Sequence, residues 1–308
     1  MPLIFNSVFP VFFLIALGSI LKRFQLTNDN FLNISDKLIY FIFFPTMLFW
    51  KIGAPASPTP VDWKFILAVL SAVFVIYTAS LFFIRITRVA NFQVGSFSQC
   101  CYRFNTYIGM AVILIALGDE SVREFAVMIG VAIPFINLLA VSTLIWYSGK
   151  SYNTSKKIVL VLRSTLSNPL ILACFSGILY SKLQLPFPRF ADNTFLLLSM
   201  VTLPMALISI GGSLNLAKIK GHLKMSMIAN LFKLLLLPAF GYFFLRAYGV
   251  AAIPFKVGMI YFALPTSTAA YILSSQLQSD VDLAAATILL STLLSIVSLS
   301  LVMAVFVS

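Results

Sequence analysis

Two short stretches gather the polar residues that a binding site needs. The first, QCCYRFNTYIG at residues 99–109, sets Arg103, Asn105, Thr106 and Tyr107 in a segment that is otherwise apolar. The second, ALPTSTAAYIL at residues 263–273, places Pro265 ahead of Thr266, Ser267 and Thr268. A guanidinium is a permanent cation whose planar fork matches a carboxylate or phosphate. An amide can orient the bound group, and hydroxyls beside a proline can meet a ligand where the backbone ladder is interrupted. This inventory suits the capture of an anion. It does not suit an enzyme: the chain has one histidine, His222, and no carboxylate pair inside an apolar segment, whereas catalysis would need clustered carboxylates, histidines or a nucleophile with its base. Cys100, Cys101 and Cys174 have no metal-ligand spacing with His222 and read as packing residues. His222 reads as a solvated loop residue, and no cofactor or metal is expected.

The elements that must hold these residues follow from composition. Hydrophobic residues make up 60% of the 308-residue chain and charged residues 10%, with a mean hydropathy of +1.01. A water-soluble fold cannot hide that much apolar surface, so the solvent for most of the chain is a lipid bilayer. The net charge of +12 comes from basic residues scattered among short loops; they form no continuous stripe, which argues against a nucleic-acid partner. Apolar runs near the ~20 residues needed to cross the hydrocarbon core predict ten transmembrane helices. They lie near 3–21, 31–50, 63–84, 94–117, 125–147, 164–181, 191–214, 225–245, 255–276 and 283–306. The first lacks a basic leading region and a small-residue cleavage site, and Lys22 and Arg23 follow it, so it reads as a retained span.

Loops after spans 1, 3, 5 and 7 carry eleven Lys and Arg residues against seven on the opposite loops and flanks. By the positive-inside rule the first set is cytoplasmic and both termini are outside. The two halves also resemble each other. PVFFLIALGSILKRFQL from Pro10 and PLILACFSGILYSKLQL from Pro169 share P-x7-G-x6-Q-L at an offset of 159 residues, which also carries Pro45 onto Pro204. FFIR at 82–85 returns as FFLR at 243–246, and Val94-Gly95 as Val257-Gly258. A shared order at a nearly constant offset indicates a repeat. The predicted organisation is a first repeat over 1–147, a short cytoplasmic connector at 148–163 and a second repeat over 164–308. Five spans per repeat is an odd number, so the copies enter the membrane from opposite sides. Inverted repeats of this kind are common in secondary transporters, whose sites lie at midplane beside interrupted helices.

Spans 4 and 9 are the least uniformly apolar pair. Aligning their Val-Gly dipeptides sets Arg103 against Thr266 and Asn105 against Thr268. If both helices unwind there, two half-helix N-termini with partial positive charge point into one cavity. No Asp or Glu lies near the middle of any span, Asp36 coming closest at the edge of span 2. Arg103 either bonds carbonyls freed by the breaks or attracts a substrate, for which a small organic anion, a carboxylate, fits best. A buried-carboxylate proton relay is not supported. Uniport driven by membrane potential, anion exchange and sodium coupling through carbonyl and hydroxyl oxygens all stay open. A channel or a sodium-coupled organic-anion symporter of related crossed-helix fold would share these features.

RFNTYIG at 103–109, NPLILACFSGIL at 168–179, LPMALISIGGSL at 203–214 and ALPTSTAAYIL at 263–273, taken together and in this order, resemble the auxin efflux carrier family, which includes the plant PIN-FORMED carriers and bacterial organic-acid permeases. The resemblance covers essentially the whole chain. It implies crossed, broken helices in spans 4 and 9, a scaffold from spans 1, 2, 6 and 7, a transport domain from spans 3–5 and 8–10, alternating access, a homodimer and a cytoplasmic (inner) membrane location. By position, Asn105 and Thr106 match the polar break of the first crossing helix and Pro265 with Thr266 that of the second, with Pro45, Thr46 and Pro204 on the scaffold facing them. Many relatives carry a proline just after the first break where this chain has Ala111 and Val112. The break here is therefore expected to rest on Gly109 and on side-chain bonding. The connector at 148–163 is too short for the cytoplasmic domain of some plant members.

Overall fold

The computed structural model of the chain describes residues 2–54, 61–147, 167–214 and 221–307, all strand-free. The predicted connector at 148–163 lies outside the described residues, as do Lys218 and Lys220. Helices form because long apolar runs in lipid must satisfy every backbone group within the segment itself. Among the described residues seven helices are long and apolar enough to cross a membrane: Phe5–Arg23, Asp29–Gly53, Trp63–Thr87, Asp119–Tyr147, Arg189–Ser213, Leu223–Ala247 and Val281–Val307. The other expected spans correspond to shorter apolar helices, Thr106–Leu117, Pro169–Lys182 and Ala252–Ala263. Large apolar side chains such as Phe13, Phe82, Leu197 and Phe243 are more than half exposed, a surface stable against lipid and not against water.

The chain divides into two compact units, one comprising Met1–Asp62, Met110–Val131 and Leu166–Leu214, the other Trp63–Gly109, Ala132–Thr165 and Asn215–Ser308. In the first unit α1 (Pro2–Arg23) packs on α9 (Arg189–Ser213), and α3 (Phe44–Gly53) on α8 (Pro169–Lys182). Both contacts use glycine for close approach. A Cβ on Gly18 would meet the Ile208 carbonyl oxygen, and one on Gly211 would lie 1.8 Å from that of Ile15. A Cβ on Gly177 would meet the Phe49 carbonyl oxygen at 3.2 Å. Ser19 Oγ donates to the Gly211 carbonyl at 2.6 Å, so backbone and hydroxyl bind the pair together. Cys174 is buried against α7 (Asp119–Tyr147), its Sγ 3.3 Å from the Ala126 carbonyl. All three cysteines are free and buried, in keeping with a packing role.

Proline shapes two helices. Ahead of Pro45, α2 (Asp29–Leu38) runs into α3 through a π-turn, Ile39–Phe43. Ahead of Pro238, α10 (Leu223–Leu231) runs into α11 (Leu237–Ala247) through a second, Phe232–Leu236. Each proline lacks an N–H and crowds the carbonyl four residues back, so the ladder widens by one residue. The second unit contains α4 (Trp63–Thr87), α5 (Asn91–Cys100), α10, α11, α12 (Ala252–Ala263), α13 (Ala269–Gln276) and α14 (Val281–Val302), with the start of α6 (Thr106–Leu117) and the end of α7.

Six helix ends turn through a left-handed residue: Gln25 and Gln184, Arg88 and Gly249, Gly118 and Gln278. The members of these pairs stand 159, 161 and 160 residues apart. The shared Gln of the P-x7-G-x6-Q-L pattern is thus a helix-terminating position in both halves.

Candidate functional site

Both expected breaks are present in the second unit. Span 4 is interrupted over Cys101–Asn105, between α5 and α6, and span 9 over Leu264–Thr268, between α12 and α13. The second break follows from Pro265 and from Leu264, whose ψ of 149° is extended, as a residue before proline prefers. The first rests on the side-chain bonding expected of it and not on Gly109. Gly109 lies inside α6, buried, its N–H donating to the Asn105 carbonyl at 3.1 Å. Asn105 instead starts the new helix: its Oδ1 accepts from the N–H groups of Tyr107 and Ile108, both at 3.1 Å. That cap satisfies two of the donors a helix start leaves free.

The broken segments meet through the backbone. The Asn105 N–H donates to the Pro265 carbonyl at 2.9 Å, and Thr266 Oγ1 donates to the Cys100 carbonyl at 3.0 Å. Ser291 Oγ accepts from the Thr266 N–H at 3.1 Å. Ser267 Oγ accepts from the Ala269 N–H at 3.2 Å, at the start of α13. The second unit thereby brings together Arg103, Asn105, Thr106 and Tyr107 with Pro265, Thr266, Ser267 and Thr268. Thr266 is fully buried by this bonding, whereas Ser267 and Thr268 keep partial exposure. Pro45, Thr46 and Pro204 belong to the first unit, on α3 and α9.

Arg103 is 4% exposed, and its Nη2 donates to Asn137 Oδ1 on α7 at 2.8 Å. Asn137 escaped the sequence reading; its only signal was a lone amide within an apolar span. Asn105 Nδ2 and both polar atoms of Asn230 are buried with no hydrogen-bond partner among the described residues. Such groups are costly in a low-dielectric interior and suit a site that exchanges water and ligand. Lys233, also missed, lies in the π-turn between α10 and α11, fully buried, its Nζ donating to the Phe262 carbonyl at 3.1 Å. A single Lys within LFKLLLL was the available signal.

His222 is less solvated than expected: it precedes α10 with Nδ1 3.7 Å from the buried carboxylate of Asp280. Asp280 also accepts from Gln93 Nε2 at 3.0 Å and caps α14 through the Leu283 N–H. Asp36, in the first unit, accepts from Ser209 Oγ. A cavity of about 220 Å³ lined by Asn91, Phe92, Gly95, Leu144 and Tyr147, among others, includes none of the residues of either break.

A multi-pass helical membrane protein, with paired helix breaks joined through backbone and hydroxyl groups, fits the architecture of a membrane transporter. A family model described as membrane transport protein matches residues 3–303. The chain belongs to that family, the auxin efflux carrier family to which its motifs pointed. No curated protein matches it.

Proposed function

We propose that the chain is a secondary transporter that moves a small organic anion, a carboxylate, by alternating access across the cytoplasmic membrane. The observation that carries the reading is Arg103: a permanent cation buried at the break of span 4, between two interrupted segments that contain no Asp or Glu. Its hydrogen bond to Asn137 orients the guanidinium with a neutral group, so that bond does not cancel the charge. The positive ends of the helix dipoles at the starts of α6 and α13 add to the same sign. Asn105, Ser267 and Thr268 supply hydrogen-bonding groups at the same pair of breaks.

Ten spans in two inverted five-helix repeats account for the seven long helices together with the interrupted or short ones in spans 4, 6 and 9. The matched left-handed ends support this pairing of the halves. So do the close approaches: Gly18 against Ile208 corresponds to Gly177 against Phe49, each residue shifted by the same 159 positions. A scaffold from spans 1, 2, 6 and 7 is supported by their falling within one compact unit, and a transport domain from spans 3–5 and 8–10 by spans 3, 8, 9 and 10 falling within the other with the start of span 4 and the end of span 5, while Met110–Val131 goes with the first unit. The homodimer rests on the family resemblance alone.

The test is binding by purified protein across small carboxylates, with Arg103→Lys and Arg103→Ala alongside. Lys keeps the charge and loses the fork, so affinity is expected to fall about tenfold; Ala loses both and about a hundredfold. Wild-type affinity in a folded, monodisperse Arg103→Ala variant would make the arginine structural and remove the basis for an anionic substrate.

A further inference from the structure

We propose that Lys233 is a tethered internal cation that holds the broken end of span 9, in the place where a carrier coupled to sodium would bind its ion. The end of α12 leaves carbonyls that no residue of its own helix can satisfy, because Pro265 has no N–H and the chain turns extended at Leu264. These carbonyls also form the negative end of the half-helix dipole. Carbonyl oxygens at an unwound transmembrane helix, with hydroxyls nearby, are ligands suited to a small hard cation. In this chain they are already engaged. Lys233 Nζ donates to the Phe262 carbonyl at 3.1 Å and sits 5.9 Å from the Tyr261 ring centre. Ser298 Oγ donates to the next carbonyl, Ala263, at 2.8 Å.

Lys233 reaches this position from the π-turn of Phe232–Leu236, and no carboxylate among the described residues pairs with it. Its charge is therefore compensated by the helix end and the aromatic face, as a bound metal ion's would be. The arrangement is one-sided. At the end of α5 the Cys100 carbonyl takes a neutral hydroxyl, from Thr266, instead. A cation attached to the protein cannot be released to either side of the membrane, so this position does not exchange sodium.

The inference rests on reading the two breaks as the transport site, but its test measures stability and not uptake, so the two readings can fail separately. Unfolding midpoints of purified wild type, Lys233→Ala and Lys233→Met would be compared in sodium chloride and in choline chloride at equal ionic strength. The wild-type midpoint should be the same in both salts. Lys233→Ala, which opens a space beside the carbonyls, should unfold several degrees lower in choline and recover part of the loss in sodium. Lys233→Met, which fills the space with an apolar chain, should show the loss without the recovery. A wild-type midpoint that rises specifically with sodium would overturn the proposal, and that arm holds even if neither variant folds. So would a Lys233→Ala variant that is as stable as wild type in choline, or one that sodium does not restore.

Discussion

Arg103 and Lys233 are both basic residues buried among apolar ones, yet the sequence marks them unequally. Arg103 stands beside Asn105, Thr106 and a repeat-related polar cluster, so its depth and its neighbours are legible from spacing alone. Lys233 stands alone in a leucine-rich run, and its partner, the Phe262 carbonyl, is a backbone group that no residue type reveals. Asn137 was hidden for a similar reason, since its bond to Arg103 joins positions 34 residues apart. It offers a sharp test of the anion site. Asn137→Asp keeps the size and the acceptor but adds a negative charge next to the guanidinium. Carboxylate affinity should fall at least about tenfold while the unfolding midpoint holds or rises, because the bond to Asn137 becomes charge-assisted. A thermal titration with the tightest-binding carboxylate would measure both, and unchanged affinity would place the substrate away from Arg103.

At the scale of the helix, the two breaks were foreseen in position, one fully in cause and the other in part. Pro265 announces its break through covalent geometry. The break of span 4 was assigned to Gly109 and to side-chain bonding; Gly109 is helical, and the interruption is fixed by the Asn105 side-chain cap and by the bond from Asn105 to Pro265. A cap and a long-range backbone bond are tertiary choices among many polar residues, which is why composition could not single them out. Replacing Asn105 with Ala should cost about 1 kcal/mol from the lost cap. It should also reduce transport by more than that loss of stability explains, since the cap holds the break open. Pro265→Ala should let span 9 anneal, giving a protein as stable as wild type or more so that transports at least about tenfold more slowly. Normal transport by either variant, at wild-type amounts in the membrane, would reduce the corresponding break to a packed kink.

Across the whole molecule, hydropathy made the membrane class plain, and the family match bears it out. The offset near 159 residues, found first as a pattern of letters, also separates paired left-handed helix ends and paired glycine contacts, positions where the backbone itself limits the residue type. Helix-to-helix packing was not legible in this way, and the closest approach, α1 on α9, rests on glycines that resemble many others in the sequence. Gly211→Val should lower the unfolding midpoint by many degrees or abolish folding, since its Cβ would lie 1.8 Å from the Ile15 carbonyl oxygen. Reporters fused at both ends should be active only outside the cytoplasm, as the loop charges require.

The most direct measurement of the central claim is uptake by the purified protein in proteoliposomes across a panel of small carboxylates and their uncharged or cationic counterparts, with pH, sodium and electrical gradients imposed one at a time. The predicted result is saturable uptake of at least one small carboxylate at carrier rates, none of the cationic analogue, and no stimulation by a sodium gradient. Transport restricted to neutral or cationic compounds would contradict the anion site, and currents far above carrier turnover would contradict alternating access.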